Sequence, residues 1–140
     1  MTQIIAKIGR DKYKTILTNG RQEIIADEPK GIGEDLGPMP YDFLLMALGS
    51  CVSITLRMYA DRKGWDLEAV EVHLSQNRVH AKDCEDCEST DGFVHVIEKE
   101  IKLTGNLDEA QRKRLMEISD KCPVNKTLLN EIKINTKELI

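Results

Sequence analysis

Four cysteines carry most of the chemistry that this sequence of 140 residues offers. Cys51 and Cys122 stand singly, whereas Cys84 and Cys87 form a CxxC motif. The N-terminal stretch MTQIIAKIGR lacks the ordered basic, apolar and cleavage regions of a secretory signal, so we expect a cytoplasmic protein. In that compartment cysteines are more often catalytic, metal-binding or simply buried than parts of a structural disulfide framework.

Cys51 lies in the stretch GSCVS, residues 49–53, inside a predicted helix. Small residues on both sides allow another side chain or a substrate to approach the helix closely. The alternative is that Cys51 is a small hydrophobic core residue, which is how most buried free cysteines behave.

Cys122 precedes Pro123 and is therefore predicted to cap a short helix. The backbone N–H groups and the positive end of the helix dipole would lower the pKa of its thiol and favour the thiolate. Lys121 and Lys126 add positive potential. The alternative is a helix cap that happens to be a cysteine, although cysteine is a poor cap.

The CxxC motif lies in a short acidic segment that also contains His80. His80, Cys84 and Cys87 could supply three ligands to a zinc ion. The same two cysteines could instead be a dithiol redox pair, but four adjacent acidic residues would raise the pKa of each thiol and oppose thiolate formation. The third alternative is an exposed loop without chemistry.

A long apolar helix must position Cys51. Pro40 precedes and Gly64 follows an apolar stretch, and together they predict a helix over Tyr41–Lys63. Its first half is apolar on nearly every face, so we expect burial on all sides for about three turns. A chain of this size achieves such burial by wrapping a sheet or a partner subunit around a central helix.

The remaining patterns predict an α+β fold in a single domain over residues 1–140. Alternating apolar residues indicate a hairpin or three short strands within Ile4–Asp27, with a turn at Asn19-Gly20. The later elements are an extended, exposed loop over Glu28–Pro40, a hairpin of strands Val70–Val79 and Phe93–Leu103 with its tip at Ala81–Gly92, helices over Leu107–Asp120 and Cys122–Leu129, and a closing strand over Ile132–Leu139. No GxGxxG or Walker-type loop occurs, so we expect no nucleotide cofactor.

Charge and composition argue against two function classes. The net charge of −4 and the small number of aromatic residues disfavour a nucleic-acid partner. The longest uncharged run, Phe43–Leu56, is too short to span a bilayer, so we expect no membrane segment. Arg10, beside Gly9 at a strand end, is by itself a solvated surface arginine.

Two segments, GPMPYDFLLMALGSC over residues 37–51 and DKCPV over residues 120–124, resemble the OsmC/Ohr family. Characterised members of that family are thiol-dependent peroxidases that reduce organic hydroperoxides. The resemblance covers nearly the whole chain in element order. It implies an OsmC-like fold, in which antiparallel sheets wrap a long buried central helix, and an intertwined homodimer.

The resemblance also implies roles for individual residues. Cys51 would be the peroxidatic cysteine, Cys122 the resolving cysteine, and Arg10 the cation that holds the Cys51 thiolate. The family has a glutamate at the start of the helix, which pairs with that arginine; here the position is Tyr41, with Asp42 beside it. A phenol cannot form the same ion pair.

Substrate, cofactor and partner follow from the same resemblance. An apolar pocket formed by Tyr41, Asp42, Phe43 and Met46 would suit alkyl peroxides. No cofactor is required, and a dithiol such as a lipoyl group would be the reductant. The competing hypotheses are a non-catalytic OsmC-like domain that binds a small apolar ligand or senses peroxide, and a zinc-binding module that uses the tip at His80–Glu88.

Overall fold

The structure is a computed structural model that describes residues 3–84 and 87–140. Backbone contacts divide the chain into two compact units, residues 1–46 and 47–140. Both sheets are antiparallel and helices accompany them, so the predicted α+β class is confirmed.

Three short strands make up the first sheet: β1 (Ile5–Ile8), β2 (Thr15–Thr18) and β3 (Glu23–Ala26), paired in the order β1-β2-β3. The predicted turn joins β2 to β3. The Asn19 side chain accepts hydrogen bonds from the N–H groups of Arg21 and Gln22, at 2.9 and 2.8 Å, and Gly20 takes a positive φ of 90° that glycine tolerates best. The alternation of apolar residues therefore predicted this sheet correctly.

The loop after β3 folds back on itself around one buried carboxylate. Asp27 accepts hydrogen bonds from the N–H groups of Glu28 and Leu36, at 2.7 and 3.2 Å. A Cβ atom on Gly33 would lie 2.5 Å from the Asp27 carboxylate, and one on Gly37 would lie 1.9 Å from the Ile25 carbonyl oxygen, so both positions need glycine. The expectation of an extended loop is wrong, because Asp27 offers the loop amides an internal acceptor.

Helix α1 runs over Pro40–Lys63, one residue longer than predicted. The Asp42 carboxylate accepts a hydrogen bond from the Met39 N–H at 3.0 Å, and Pro40 occupies the first helical position. Gly64, with φ at 68°, follows the last turn. A buried row along the helix faces the core of the second unit: Leu48, Val52, Leu56, Tyr59 and Ala60.

The single chain buries α1 along one face only, and the expected burial on all sides, by a sheet or a partner subunit, stays a prediction. Met46, Ile54 and Met58 remain 53%, 59% and 66% exposed. The core residues lie along one face of the helix, so the apolar side chains that point elsewhere stay at the surface.

Length and composition alone would allow α1 to cross a bilayer, with a mean hydropathy of 1.6 over an 18-residue window that is 28% buried. The sequence-based expectation counted only the uncharged run Phe43–Leu56 and therefore left out the last turns of α1. Core helices of soluble proteins meet the same criterion, so it does not by itself indicate a membrane.

The second unit is built on a long antiparallel hairpin of β4 (Asp66–His80) and β5 (Phe93–Asn106). The strands are longer than predicted, and a bulge interrupts the register between Leu67 and Ala69. Gly105 of β5 lies opposite this bulge and has φ at 146°. A Cβ atom on Gly105 would lie 2.0 Å from the Asp66 carbonyl oxygen.

Two helices follow the hairpin. Helix α2 (Glu109–Ser119) begins with a capping box between Asp108 and Gln111. Helix α3 (Pro123–Leu129) begins after Cys122, as predicted. Leu115 and Ile118 of α2 pack with the buried row of α1.

The predicted closing strand over Ile132–Leu139 is wrong. Residues 131–140 have no regular secondary structure, and Ile132, Ile134 and Leu139 are exposed. Alternating apolar residues form a stable strand only when they pair with a neighbouring strand, and in the sheet that this unit contains among the described residues β4 pairs with β5 alone.

Candidate functional site

The thiols of Cys51 and Cys122 meet in the core of the second unit. Both are free; Cys51 is half-buried, and Cys122 has no exposed surface. Their side chains lie in one cluster and interact with each other, although 71 positions separate them in the sequence (122 minus 51). The structure therefore brings together the two cysteines that the sequence analysis singled out separately.

Local structure explains how each thiol is placed. Cys51 lies three residues after Leu48 and one before Val52, both of which are buried, so it packs beside the core row of α1. Cys122 has the extended conformation of an N-cap residue, with φ at −64° and ψ at 145°, and Pro123 begins the helix. Its Sγ accepts a hydrogen bond from the Asn125 N–H at 3.3 Å.

The environment of Cys122 raises the pKa of its thiol, and the predicted lowering is wrong. Burial is the largest cause, because removal from water disfavours the thiolate. The Asn125 N–H and the Lys99 ammonium act in the opposite direction, whereas the Cys51 thiol raises the pKa further. The amides of a short helix do not compensate for full burial, and burial could not be read from the local sequence.

Lys99 is a functional candidate that the sequence analysis missed. Its Nζ donates hydrogen bonds to the Ser119 carbonyl at 3.2 Å, the Asp120 carboxylate at 3.0 Å and the Asn125 side-chain oxygen at 3.3 Å. Its side chain is only 13% exposed. A signal was present, since Lys99 continues the inward-facing alternation of Ile97 and Ile101 on β5.

A cavity of about 520 Å³ adjoins this lysine. Its polar lining residues come from β5, from the turn between α2 and α3 and from α3, and the other lining residues are apolar. The lining residues are Leu48, His95, Ile97, Lys99, Asp120, Asn125, Leu128 and Leu129. Asn125 connects the cavity to Cys122 through its backbone hydrogen bond to the sulfur.

The predicted peroxidase residues other than the two cysteines lie in the first unit. Arg10 is exposed in the turn after β1, where its carbonyl accepts a hydrogen bond from the Lys12 N–H at 3.0 Å. Its role beside Cys51 stays a prediction.

The residues expected to form the substrate pocket begin helix α1. Tyr41 is exposed, and Met46 is exposed as well. The Asp42 carboxylate accepts a hydrogen bond from the Met39 N–H at the start of the helix. Phe43 lines a cavity of about 180 Å³ with other residues of the first unit, among them Ile4 and Ile24. Their contribution to a common substrate pocket stays a prediction.

The CxxC motif forms a disulfide between Cys84 and Cys87, whose Cα atoms are 5.5 Å apart. The predicted zinc site is therefore wrong in this structure, because oxidised cysteines offer no thiolate ligands. His80, its third predicted ligand, packs its ring on Phe93 with centroids 4.5 Å apart. Within residues 3–84 and 87–140 no cluster of three metal-ligating side chains occurs. Two of the four acids next to the motif, Glu85 and Asp86, lie outside the described residues.

Comparison with known proteins identifies the fold. Residues 33–137 match a family model described as OsmC-like protein. A search of curated proteins finds no significant match. An OsmC-like protein from Mycoplasma pneumoniae is 20% identical, with a TM-score of 0.72 over 92% of this chain and 87% of its own.

Two further solved structures are similar, and both are organic hydroperoxide resistance proteins. The one from Legionella pneumophila is 18% identical, with a TM-score of 0.64 over 91% of this chain and 88% of its own. The one from Elizabethkingia anophelis is 17% identical, with a TM-score of 0.64 over 91% and 86%. At these identities the likeness establishes the fold.

Proposed function

The chain belongs to the OsmC-like protein family, and from this premise we propose that it is a thiol-dependent peroxidase that reduces organic hydroperoxides. The observation that carries the proposal is the contact between the Cys51 and Cys122 thiols inside the second unit. The two similar proteins named for organic hydroperoxide resistance support the same reaction class.

The reaction begins at Cys51. Its thiolate attacks the distal oxygen of ROOH, the O–O bond breaks, and the alkoxide takes a proton and leaves as an alcohol. Cys51 is oxidised by two electrons to a sulfenic acid. The Cys122 thiolate then attacks the Cys51 sulfur, water leaves, and a disulfide forms. An external dithiol, such as a reduced lipoyl group, returns two electrons and two protons.

Cys51 needs a cation to ionise. It lies about 16 Å along the axis from Pro40, where the helix dipole has little effect. Arg10 is the cation we assign to this role, and it would also orient the peroxide. This assignment rests on the family resemblance of Gly9-Arg10-Asp11.

The apolar surroundings favour an alkyl substrate and a second subunit. We assign Phe43 and Met46, with Tyr41 and Asp42 at the helix start, to the substrate pocket. A homodimer would cover the apolar side of α1 that the single chain leaves exposed. We place the protein in the cytoplasm, where lipoyl dithiols are available to reduce it.

A peroxidase assay tests the proposal. With dihydrolipoamide as the reductant, wild type should turn over cumene hydroperoxide faster than H₂O₂. Cys51→Ser should abolish turnover, and Arg10→Ala should lower it by about two orders of magnitude, the usual effect of losing one electrostatic contact to the reacting atoms. The double variant Cys84→Ser/Cys87→Ser is the control and should keep wild-type activity. Equal slow rates in wild type, Cys51→Ser and Arg10→Ala would contradict the proposal.

One observation favours a second candidate, a non-catalytic domain that senses peroxide or binds a small apolar ligand. Tyr41 stands where the family has a glutamate, and the neighbouring carboxylate of Asp42 already accepts the Met39 N–H. Such a protein would oxidise Cys51 once and would not turn over with dithiol. Turnover number therefore separates the two candidates.

A further inference from the structure

Lys99 is an inward-facing, nearly buried cation on β5 whose partners all lie around Cys122. We propose that Lys99 is a positioning residue for the resolving step: it fixes the turn that carries Cys122 and supplies the positive charge that the Cys122 thiolate needs. This inference rests on the proposed function and adds a residue that assists its second chemical step.

The hydrogen bonds of Lys99 explain how it positions Cys122. The three donors of an ammonium group have three acceptors here, on Ser119, Asp120 and Asn125. Ser119 ends α2, and Asn125 lies in the first turn of α3. The Asn125 side chain also donates to the Asp120 carbonyl at 3.1 Å. Lys99 therefore joins both ends of the turn in which Cys122 lies.

The charge of Lys99 has a specific use in this place. Cys122 has no exposed surface, so water does not stabilise its thiolate. The Asn125 N–H supplies one hydrogen bond to the sulfur, and the Lys99 ammonium supplies the positive charge. The remaining titratable groups nearby are the Cys51 thiol on α1, the Asp120 carboxylate bound to Lys99, and His95 on the same cavity.

The cation acts in both directions of the disulfide chemistry. When Cys122 attacks the Cys51 sulfenic acid, the thiolate must be present, and hydroxide leaves and is protonated to water. When an external thiolate later attacks the Cys51 sulfur, Cys122 leaves as a thiolate. In both steps the negative charge develops or resides on the Cys122 sulfur, so the same ammonium stabilises it.

A titration that needs no peroxide tests the electrostatic part. In the background Cys51→Ser/Cys84→Ser/Cys87→Ser, the Cys122 thiol is the remaining thiol. Its thiolate is followed by ultraviolet absorbance as the pH is raised. The absorbance of the same background with the further change Cys122→Ser is subtracted as the blank. Lys99→Met should move the midpoint to higher pH by about one pH unit. Lys99→Arg should stay near the parent, and so should Lys102→Met, which removes an outward-facing lysine of the same strand. An unchanged midpoint in folded Lys99→Met would overturn the proposal.

A second variant tests the proposal if Lys99→Met does not fold. Asp120→Asn removes the carboxylate that offsets the Lys99 charge, from a side chain that is 72% exposed. It should move the Cys122 midpoint to lower pH. A midpoint that stays at the parent value would count against Lys99 as the cation that serves Cys122.

Single-turnover kinetics test the step. Lys99→Met should consume peroxide at the wild-type rate but form the Cys51–Cys122 disulfide at least about threefold more slowly, since one pH unit removes about nine-tenths of the thiolate and the more basic thiolate regains part of the rate. Dimedone should trap more Cys51 sulfenic acid. Slowing of both steps together would indicate a merely structural role. If wild type does not react with peroxide, the proposed function fails, and the titration still judges Lys99.

Discussion

Burial and hydrogen bonding have opposite effects on the pKa of two buried side chains. Asp27 and Cys122 are both buried and both accept backbone N–H groups, yet the pKa changes in opposite directions. Burial opposes ionisation of Asp27, but the N–H groups of Glu28 and Leu36, helped by Lys12, outweigh it and lower the pKa. For Cys122 one amide and one lysine do not outweigh burial. The number of amide donors at each acceptor decides the direction.

A prediction for Asp27 follows from this direction. A carboxylate whose pKa is lower in the folded protein stabilises the fold above its unfolded pKa and loses that effect as the pH falls through the folded value. Asp27→Asn should therefore lower the free energy of unfolding at pH 7, and the difference from wild type should shrink as the pH falls below about 4. Urea unfolding at several pH values measures this.

Asp11→Asn is the control for Asp27, because Asp11 lies exposed in the same unit. It should leave the unfolding free energy near the wild-type value throughout the pH range. A difference between Asp27→Asn and wild type that grows toward acid pH would contradict the assignment.

Residue-scale prediction from the sequence succeeded where local signals suffice. Cys122 was predicted to be an N-cap because Pro123 follows it, and the structure has it there. The direction of its pKa was wrong, since the surroundings come from α1 and β5, which are distant in sequence. Lys99 was missed for the same reason: its partners lie 20 or more positions away.

For helices and strands, the accuracy of the sequence-based predictions depends on whether local residues mark the ends of the element or strand pairing sets them. Both ends of α1 were predicted closely because Pro40 and Gly64 mark them locally. The strands β4 and β5 were predicted too short because pairing, not apolar alternation, extends them to Asp66 and Asn106. The predicted strand at Ile132–Leu139 is the opposite case: its apolar residues alternate along the sequence, but among the described residues no neighbouring strand pairs with it.

The start of α2 offers a quantitative test at this scale. Asp108→Ala removes the capping-box hydrogen bond in which the Asp108 carboxylate accepts the Gln111 N–H at 2.7 Å, whereas the backbone N–H of residue 108 still has the Gln111 side chain as its acceptor. The free energy of unfolding should fall by about 1 kcal/mol. Lys113→Ala, an exposed substitution in the same helix, should change it by less than about 0.5 kcal/mol. Equal effects of the two variants in chemical denaturation would show that the cap does not stabilise α2.

The single chain leaves large apolar side chains of α1 exposed. Met46, Ile54 and Met58 project from one long helix whose other face packs in a core. Water contact with such a row is unfavourable, and a second copy of the chain is the partner that the family resemblance implies.

A measurement of the oligomeric state at micromolar concentration tests whether a second copy of the chain covers this row of α1. Wild type should sediment as a dimer, and Ile54→Glu/Met58→Glu should shift the population toward monomer, because two carboxylates would be buried without partners. Lys113→Glu, at an exposed position of α2, should remain dimeric. A monomeric wild type at every concentration would contradict the homodimer.

The disulfide between Cys84 and Cys87 has a practical consequence for anyone who counts sulfhydryls. Protein in the state described here, denatured and treated with Ellman's reagent, would release two equivalents of chromophore, although the sequence contains four cysteines. Peroxide treatment that joined the other two would bring the count to none, and a strong phosphine would bring it to four. A titre of two is thus ambiguous by itself, and peptide mapping must identify which pair is oxidised before any stoichiometry of turnover is calculated.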